Sequence, residues 1–211
     1  MDTLGKPTSG VGRMRIVGGN LALDFLNTRT GPPGGPTEDD VLGDYGNLVA
    51  WARHVGSLSD REAGRLRRRG QRDQAGARAT FDRTIRLRDA LDDVFRARAR
   101  ARRPRAASIA ALRTAEAEAL ARAALVPAGD SFVWSWSDDR SLARPLGPVI
   151  HAAIELLTAG PLDRVKVCAG CQFLFVDESK NRSRRWCSME DCGSAEKVRR
   201  FVARRAGREP D

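Results

Sequence analysis

Apolar side chains recur at the spacing of an α-helix through most of the first 160 residues of this chain. The first helix is predicted at LALDFLNTR, directly after Asn20, whose side chain is a favourable N-cap. A second helix follows a cap at Asp44 and stops at Gly56, and a third restarts from a cap at Ser57 or Ser59. Three further helices are predicted over residues 73–103, 108–125 and 148–159. The pattern therefore predicts a mainly helical first domain.

The apolar period changes to two in SFVWSWSDD, residues 131–139. Phe132, Trp134 and Trp136 alternate there with serine and valine, which predicts a half-buried strand. This pattern favours core or sheet packing for Trp134 and Trp136 over a platform on which nucleic-acid bases stack. A second short strand is predicted at residues 14–17.

Loop-forming residues mark the limits of the predicted domains. Residues 1–13 are typical of a flexible leader, and the Gly160-Pro161 pair stops the last helix of the first domain. We therefore divide the chain into a leader over 1–13, a domain over 14–160 and a second domain over 161–211. No repeat of 20–50 residues is visible, which argues against a solenoid.

The composition is that of a globular protein, with 41% hydrophobic residues in 211. No window approaches the roughly eighteen apolar residues of a membrane span, and MDTLGKPTSGVGRMR lacks the apolar region of a secretory signal. We therefore expect a soluble, cytoplasmic protein with no membrane partner. Because such a compartment keeps thiols reduced, clustered cysteines favour metal binding over disulfides.

All four cysteines lie near the C-terminus as C-x2-C, fifteen intervening residues and C-x4-C. Two close pairs separated by a loop suit tetrahedral zinc, because each pair supplies two thiolates from one turn. The alternatives are free buried thiols, a redox dithiol and an iron–sulfur cluster, but free buried cysteines would not cluster among glycines and charged residues. Four thiolates leave no open position for catalysis. The sequence therefore predicts one structural Zn²⁺, bound by Cys168, Cys171, Cys187 and Cys192.

The segments around the cysteines predict a small metal-stabilised fold. QFLFVD has the alternation of a strand, and SAEKVRRFVARR has the pattern of a helix whose Val198, Phe201 and Val202 can pack on the zinc core. A knuckle, a strand and a terminal helix resemble a treble clef, in which metal supplies folding energy that a small core lacks. The predicted fold class is therefore α+β: a mainly helical N-terminal domain with a few short strands, followed by a small treble-clef-like four-cysteine zinc finger.

The net charge of +10 is less informative than the position of the charges. Only four of the 37 basic residues are lysine, and a GC-rich genome can produce such an arginine bias. In RARARARRPR, residues 96–105, the arginines alternate and spread around a helix. This run is typical of a solvated helix end rather than a dedicated nucleic-acid patch.

The basic residues of the second domain form a more specific pattern. From Arg164 to Arg208 there are 12 basic and 5 acidic residues, a formal charge of +7, which a zinc tetrathiolate of about −2 lowers in part. Guanidinium groups match phosphate oxygens and can read guanine edges, so a rigid basic loop beside a basic helix suits duplex DNA. Pairing of these arginines with acidic residues such as Asp177 and Asp191 is the structural alternative. The candidate DNA contacts are Lys180, Arg182, Arg184, Arg185, Lys197, Arg200 and Arg204.

Further motifs surround the cysteine pairs: FVD after the knuckle, SKNRSRRWCSM around the third cysteine, and a KVRR helix after the fourth. This pattern, from about Val167 to Arg205, resembles the CGNR zinc-finger family. The segments GGNLALDFLNT, LVAWARHVG and IHAAIELLTAG resemble the ABATE domain that commonly precedes this finger. Together they resemble stress-induced transcription regulators of bacteria, mostly actinobacterial.

The resemblance implies that the finger binds DNA and that residues 14–160 have a regulatory or ligand-sensing role. This chain departs from the family at one place, because Ser194 and Ala195 replace the asparagine and arginine of C-G-N-R. Cys192 and Gly193 are retained, so the metal site is expected to form. Loss of the arginine removes a phosphate contact or a local structural pair.

Other functions compete with a DNA-binding regulator. The main alternative is a zinc-stabilised interaction module whose basic surface meets an acidic protein partner of the transcription machinery, and RNA is a third possibility. No nucleophile–base pair or catalytic metal motif is visible, so the chain is not predicted to be an enzyme. Asp24, Asn27 and Thr28, at i, i+3 and i+4, either line a pocket for a small-molecule effector or form a polar helix face or capping network. The pattern leaves the oligomeric state open.

Overall fold

The computed structural model describes residues 10–206, and within the last helix it describes no side chain for residues 203, 204 and 206. This part of the chain forms seven α-helices and three two-stranded antiparallel hairpins. The helices are α1 (Leu21–Leu26), α2 (Tyr45–His54), α3 (Asp60–Arg72), α4 (Gln74–Ala99), α5 (Ala106–Leu120), α6 (Leu146–Thr158) and α7 (Ser194–Ala206). The strands are β1 (Arg29–Thr30), β2 (Asp39–Asp40), β3 (Ala124–Ala128), β4 (Ser131–Ser135), β5 (Val165–Val167) and β6 (Leu174–Val176).

Side-chain caps set the starts of the first four helices. Asn20 accepts a hydrogen bond from a backbone amide of α1 at 2.9 Å, and Asp44 accepts one from α2 at 2.7 Å. Of the two serines offered for α3, Ser59 is the cap, and it forms a reciprocal capping box with Glu62. Asp73 accepts a hydrogen bond from an amide of α4 at 2.8 Å. The predicted caps at Asn20, Asp44 and Ser59 are confirmed, because a cap depends on residues within one turn of the helix start.

Helix α1 lies at the centre of the hydrophobic core. Its Leu23 and Phe25 side chains are fully buried, and the Phe25 ring lies 5.2 Å from that of Trp51 in α2. Helix α1 packs against α4 and α6 and also contacts strand β6. The middle of the N-terminal domain therefore touches the C-terminal region directly.

Strand β6 joins two hydrophobic clusters. Leu174 and Val176 pack in the same core as helices α1 to α6. Phe175 lies between them in sequence and packs in a second cluster with the cysteines. Successive strand residues face opposite sides, so three residues are enough to contact both clusters. The segment 161–211 therefore shares part of its core with the segment before it.

The hairpin of β3 and β4 is largely exposed. Phe132 is 64% exposed, and Trp134 is 40% exposed and meets His151 edge-on. Trp136, just after β4, is buried and donates its indole N–H to the carbonyl of Ala119 at 2.9 Å. The predicted core position is confirmed for Trp136. Trp134 pairs with Leu125 across the sheet and contacts His151 of α6, which agrees with the predicted core or sheet packing. The predicted burial is wrong for Phe132, which lies near the turn of this two-stranded hairpin and faces solvent.

The segment before α1 differs from the prediction. Residues 1–9 of the predicted leader lie outside the described residues, whereas Val11–Arg13 form a single 3₁₀ turn with Val11 buried. The strand predicted at residues 14–17 is wrong, because no strand of the described chain pairs with this segment. Its backbone is instead held at Val17, whose amide donates to the carboxylate of Asp24 at 3.0 Å.

The apolar face of α7 is also exposed. Val198, Phe201 and Val202 are 43%, 59% and 58% exposed, so the prediction that they pack on the zinc core is wrong. Helix α7 runs on from the turn that carries the last cysteine, and the described neighbours of the metal cluster come from elsewhere. Within the described chain, no helix is both long and apolar enough to cross a membrane.

Candidate metal centre and nucleic-acid interface

The four cysteines meet at one point. The Sγ atoms of Cys168, Cys171, Cys187 and Cys192 all lie within 4.8 Å of one another. The Cys187 sulfur is 3.8 Å from that of Cys171 and 3.8 Å from that of Cys192. Four sulfur atoms arranged tetrahedrally about 2.3 Å from a zinc ion are about 3.8 Å apart. The donor set and its spacing therefore fit one structural Zn²⁺ with a closed coordination shell.

Backbone hydrogen bonds to sulfur orient the first pair of ligands. The Cys168 sulfur accepts from the amides of Gly170 and Cys187, each at 3.3 Å. The Cys171 sulfur accepts from the amide of Phe173 at 3.5 Å. Such donors favour the thiolate, which is the form that binds metal. The bond from the Cys187 amide also joins the two ligand pairs to each other.

The second pair is positioned by a capped turn. Cys192 lies in a π-helical turn, Met189–Gly193, and the Ser188 hydroxyl accepts from the amide of Asp191 at 3.3 Å. Gly170 of the knuckle lies against this turn, since a Cβ atom at Gly170 would be only 2.8 Å from the Cβ of Cys192. The close approach of the two ligand segments therefore requires glycine at this position.

Asp177 organises the loop between the ligand pairs. Its buried carboxylate accepts from the Lys166 ammonium at 2.6 Å, from the Ser179 hydroxyl at 2.6 Å and from the Arg184 amide at 3.1 Å. Burial by itself would raise the pKa of Asp177, but the hydrogen bonds from Lys166 and Ser179 outweigh it and hold that pKa well below its ordinary value. Lys166 also donates to the carbonyls of Arg182 and Arg184, the latter at 3.3 Å. The basic loop is thus folded around an internal ion pair.

Arg184 is used inside the finger. Its Nε donates to the carbonyl of Trp186 at 2.9 Å, and its guanidinium also donates to the carbonyl of the zinc ligand Cys187. The same guanidinium lies 4.7 Å from the centre of the Phe175 ring. These contacts fix the backbone that carries Cys187, and a DNA contact by Arg184 would have to compete with them.

We expect Arg184→Ala to weaken zinc retention, because groups that orient a metal ligand commonly contribute about 10- to 100-fold to metal affinity. Transfer of zinc to a chromogenic chelator should be at least about tenfold faster than in the unmodified protein. Arg185→Ala is the matched control, since Arg185 is exposed and contacts the ring of Trp186 at 5.4 Å from its centre. Equal transfer rates for the two variants would contradict the assigned role of Arg184.

Three of the candidate DNA contacts carry unpaired charges. Among the residues that the structure describes, Lys180, Arg185 and Lys197 are exposed and have no carboxylate within ion-pair distance. Lys180 and Arg185 belong to the loop between the ligand pairs, and Lys197 lies in the first turn of α7. The loop is fixed at both ends by zinc ligands, and α7 continues from the turn that carries the last ligand.

Two other candidates form exposed ion pairs. Arg182 pairs with Asp163, and Arg200 pairs with Glu196 at 2.9 Å. Exposed pairs of this kind contribute little to stability, so both guanidinium groups can exchange their partner for a phosphate. The side chain of Arg204 lies outside the described residues.

The three candidate pocket residues are buried and hydrogen-bonded. Asp24 accepts from two backbone amides of the preceding loop at 2.8 and 3.0 Å, and burial raises its pKa against the opposing effect of these bonds. Asn27 donates to the carbonyl of Leu174 at 2.9 Å and accepts from its amide at 2.8 Å. Thr28 accepts from the buried Arg88 at 2.6 Å. These side chains bind other parts of the protein, and a ligand pocket formed by them stays a prediction.

Sequence reasoning did not identify two residues that support the finger. Lys166 stands between two valines in β5, and its isolated polar character was the only local signal of its role. Arg15 pairs with Glu190 at 3.1 Å and with Asp191, in the turn that holds Cys192. No local pattern could reveal that contact, because about 175 residues separate the partners.

A helical domain whose core continues into a closed four-cysteine metal site defines a zinc-finger protein. Residues 19–160 match the ABATE family, described as "Putative stress-induced transcription regulator", and residues 164–205 match the CGNR zinc finger. The first match covers more than half of the chain, so the protein belongs to this family of transcription regulators. Neither matched family is one of enzymes. Among curated proteins, none matches the chain.

Proposed function

We propose that the protein regulates transcription by binding duplex DNA through its zinc finger. The observation that carries this proposal is the set of exposed, unpaired cationic groups of Lys180, Arg185 and Lys197 on segments supported by the metal centre. Phosphate contacts supply most of the affinity of a protein for DNA whatever its sequence. A rigid scaffold lowers the entropy lost when such contacts form.

The charge of the finger supports this proposal. The formal charge of +7 between Arg164 and Arg208 stays positive after the contribution of about −2 from a zinc tetrathiolate. Glu190 and Asp191 are the acidic residues that stand in the turn of the last ligand, and Arg15 pairs with both of them. Arg15 therefore reduces the repulsion that these carboxylates would exert on a phosphate backbone.

Ala195 removes either a phosphate contact or a local structural pair that the family motif places at this position. It stands at the start of α7, where the family motif has arginine, and its methyl group cannot bind a phosphate. Lys197 lies two residues further on and is exposed, but two residues rotate a helix by about 200°, so its charge lies on another face than residue 195. We infer that DNA binding in this protein relies on the basic loop and on Lys197, without a contact from position 195.

A salt series tests the proposal. The zinc-loaded protein should bind random duplex DNA at low salt, and the triple variant Lys180→Ala, Arg185→Ala, Lys197→Ala should bind it much more weakly. If each of these residues contacts one phosphate, the slope of log K against log salt should fall by about three. Titration of labelled DNA followed by fluorescence anisotropy measures both quantities.

A second triple variant, Arg98→Ala, Arg102→Ala, Arg103→Ala, is the control. It removes the same charge from exposed positions at and beyond the end of α4. An equal loss of affinity in both variants would mean that net charge, and not the finger, attracts DNA. Absence of binding at low salt with zinc present would reject DNA and favour an acidic protein partner.

A further inference from the structure

A cavity of about 410 Å³ lies between α4, α5 and α6, and none of the residues that line it belongs to the finger. This volume falls in the range of about 300–1,000 Å³ that is typical of small-molecule sites. Much of the lining is apolar. Its buried or half-buried apolar residues are Leu87, Ala115, Ala119, Ala143, Leu146, Gly147 and Ile150.

The charged residues that line the cavity are mainly arginines. Arg83, Arg86 and Arg122 contribute to the lining, against a single acidic residue, Glu118. Arg83 and Glu118 form an ion pair with each other. Arg122 pairs with the buried carboxylate of Asp139, with Nε 3.4 Å from the nearer oxygen. Within the described chain Arg86 is exposed and has no carboxylate partner, so its charge is the part of the lining that the protein does not neutralise.

We propose that this cavity binds a small organic anion with an apolar body. The apolar part would contact the floor formed by Leu87, Leu146 and Ile150, while Arg86 binds the anionic group. A guanidinium presents two parallel N–H donors that match the two oxygens of a carboxylate. Apolar burial supplies affinity, and the charged group selects anions over cations and neutral molecules. This site goes beyond the DNA-binding proposal, because it lies outside the finger.

Isoleucine methyl groups offer a direct measurement of binding. Ile150 lines the cavity, whereas Ile16 lies in the segment before α1 and does not line it. In the full-length, zinc-loaded protein labelled at isoleucine methyl groups with ¹³C, addition of octanoate should shift the Ile150 signal in a saturable way. The Ile16 signal should stay in place. Ile150→Val assigns the signal, since it removes one methyl group.

Head-group charge is tested with three probes of equal chain length. Octanoate is expected to bind, while octylammonium and 1-octanol should bind at least about tenfold more weakly, because a hydrogen bond between charged groups is worth about that factor or more. Equal binding of octanoate and 1-octanol would reject an anion site. Absence of an Ile150 shift with octanoate at millimolar concentration would also overturn the proposal.

Two variants test separately the role of the Arg86 charge and the role of the cavity volume. Arg86→Gln should weaken octanoate binding about tenfold, whereas Arg113→Gln, at an exposed position of α5 outside the lining, should leave it unchanged. Ala111→Trp fills the cavity from an exposed lining position and should abolish binding while the remaining methyl spectrum stays native. Unchanged affinity in Arg86→Gln would overturn the assignment of the anion to Arg86. None of these measurements uses DNA, so their failure would not affect the proposal for the finger.

Discussion

Removal of zinc is expected to unfold the cysteine cluster and the loop between the ligand pairs, which pack on one face of strand β6. The helical core, which packs on the other face, is expected to stay folded. Phe175 packs against the cysteine cluster, whereas Leu174 and Val176 pack in the helical core. Structural zinc contributes roughly 10–16 kcal/mol of apparent binding free energy in small finger peptides, so the ligand loop has no comparable source of stability once the metal is gone. The helical core contains none of the four cysteines, so we expect it to stay folded.

Hydrogen exchange, followed residue by residue by NMR, distinguishes the two sides. After chelation, the amides of Ala169 and Cys187, which bond to the Arg185 carbonyl and to the Cys168 sulfur, should exchange at least about a hundredfold faster. The amides of Leu174 and Val176, which bond to Asn27 and to the Gly18 carbonyl, should keep their protection. The variant Cys187→Ser should reproduce this result without a chelator.

Two outcomes would contradict the selective unfolding. If Leu174 and Val176 lose protection together with Cys187, the finger and the helical core unfold as one cooperative unit. If Cys187 keeps its protection after zinc is removed, the metal does not supply the stability of the loop. Ser183→Ala, at an exposed position of the same loop, is the control for the effect of a substitution that leaves the ligands intact.

The features that could be predicted from the sequence depend on short segments. The caps at Asn20, Asp44 and Ser59 satisfy amides within three residues, so their chemistry is visible in the sequence. The cysteine spacing is similar, because each pair lies in one turn and a metal needs only that the two turns meet. The structure brings the two turns together and places the four sulfur atoms within 4.8 Å of one another.

The features that the sequence did not predict depend on which other part of the protein packs against a given strand, helix or loop. Period-two alternation in residues 131–135 predicts a strand, but it cannot show whether a second layer covers either face. The apolar positions of α7 have helical spacing, yet nothing in that spacing identifies their partner. The two neighbouring arginines differ for the same reason: Arg184 bonds to the ligand loop and Arg185 faces solvent, although both read as basic residues of one loop.

The predicted boundary at residue 160 separates two matched families, but the structure joins them. Helix α1 contacts strand β6, and α4 contacts strand β5. Arg96 of α4 also donates to the carbonyl of Gln172 at 2.9 Å, just before β6. The hairpin of the finger is therefore held by side chains of the helical domain as well as by apolar packing. Asn27, the residue that follows α1, makes a further contact of this kind, because its side chain binds the backbone of Leu174 in β6.

Asn27→Ala is expected to lower the free energy of unfolding by about 3 kcal/mol. Asn27 is 2% exposed and Leu174 is fully buried, and the asparagine side chain satisfies both backbone groups of that leucine. Without it, a buried amide and a buried carbonyl lose their partners, and each such loss costs about 1–3 kcal/mol. Urea denaturation of the zinc-loaded protein measures the change, which should appear as a lower midpoint at unchanged slope.

The variant Asn27→Asp tests the geometry of this contact more sharply. It keeps the acceptor for the Leu174 amide but places a second carboxylate oxygen against the Leu174 carbonyl, so it should destabilise the protein at least as much as alanine does. Asn181→Ala, at an exposed loop position, removes the same amide group without burial and should change stability by less than about 0.5 kcal/mol. A loss in Asn27→Ala no larger than that control would mean that water replaces the side chain, and that α1 does not hold the finger through Leu174.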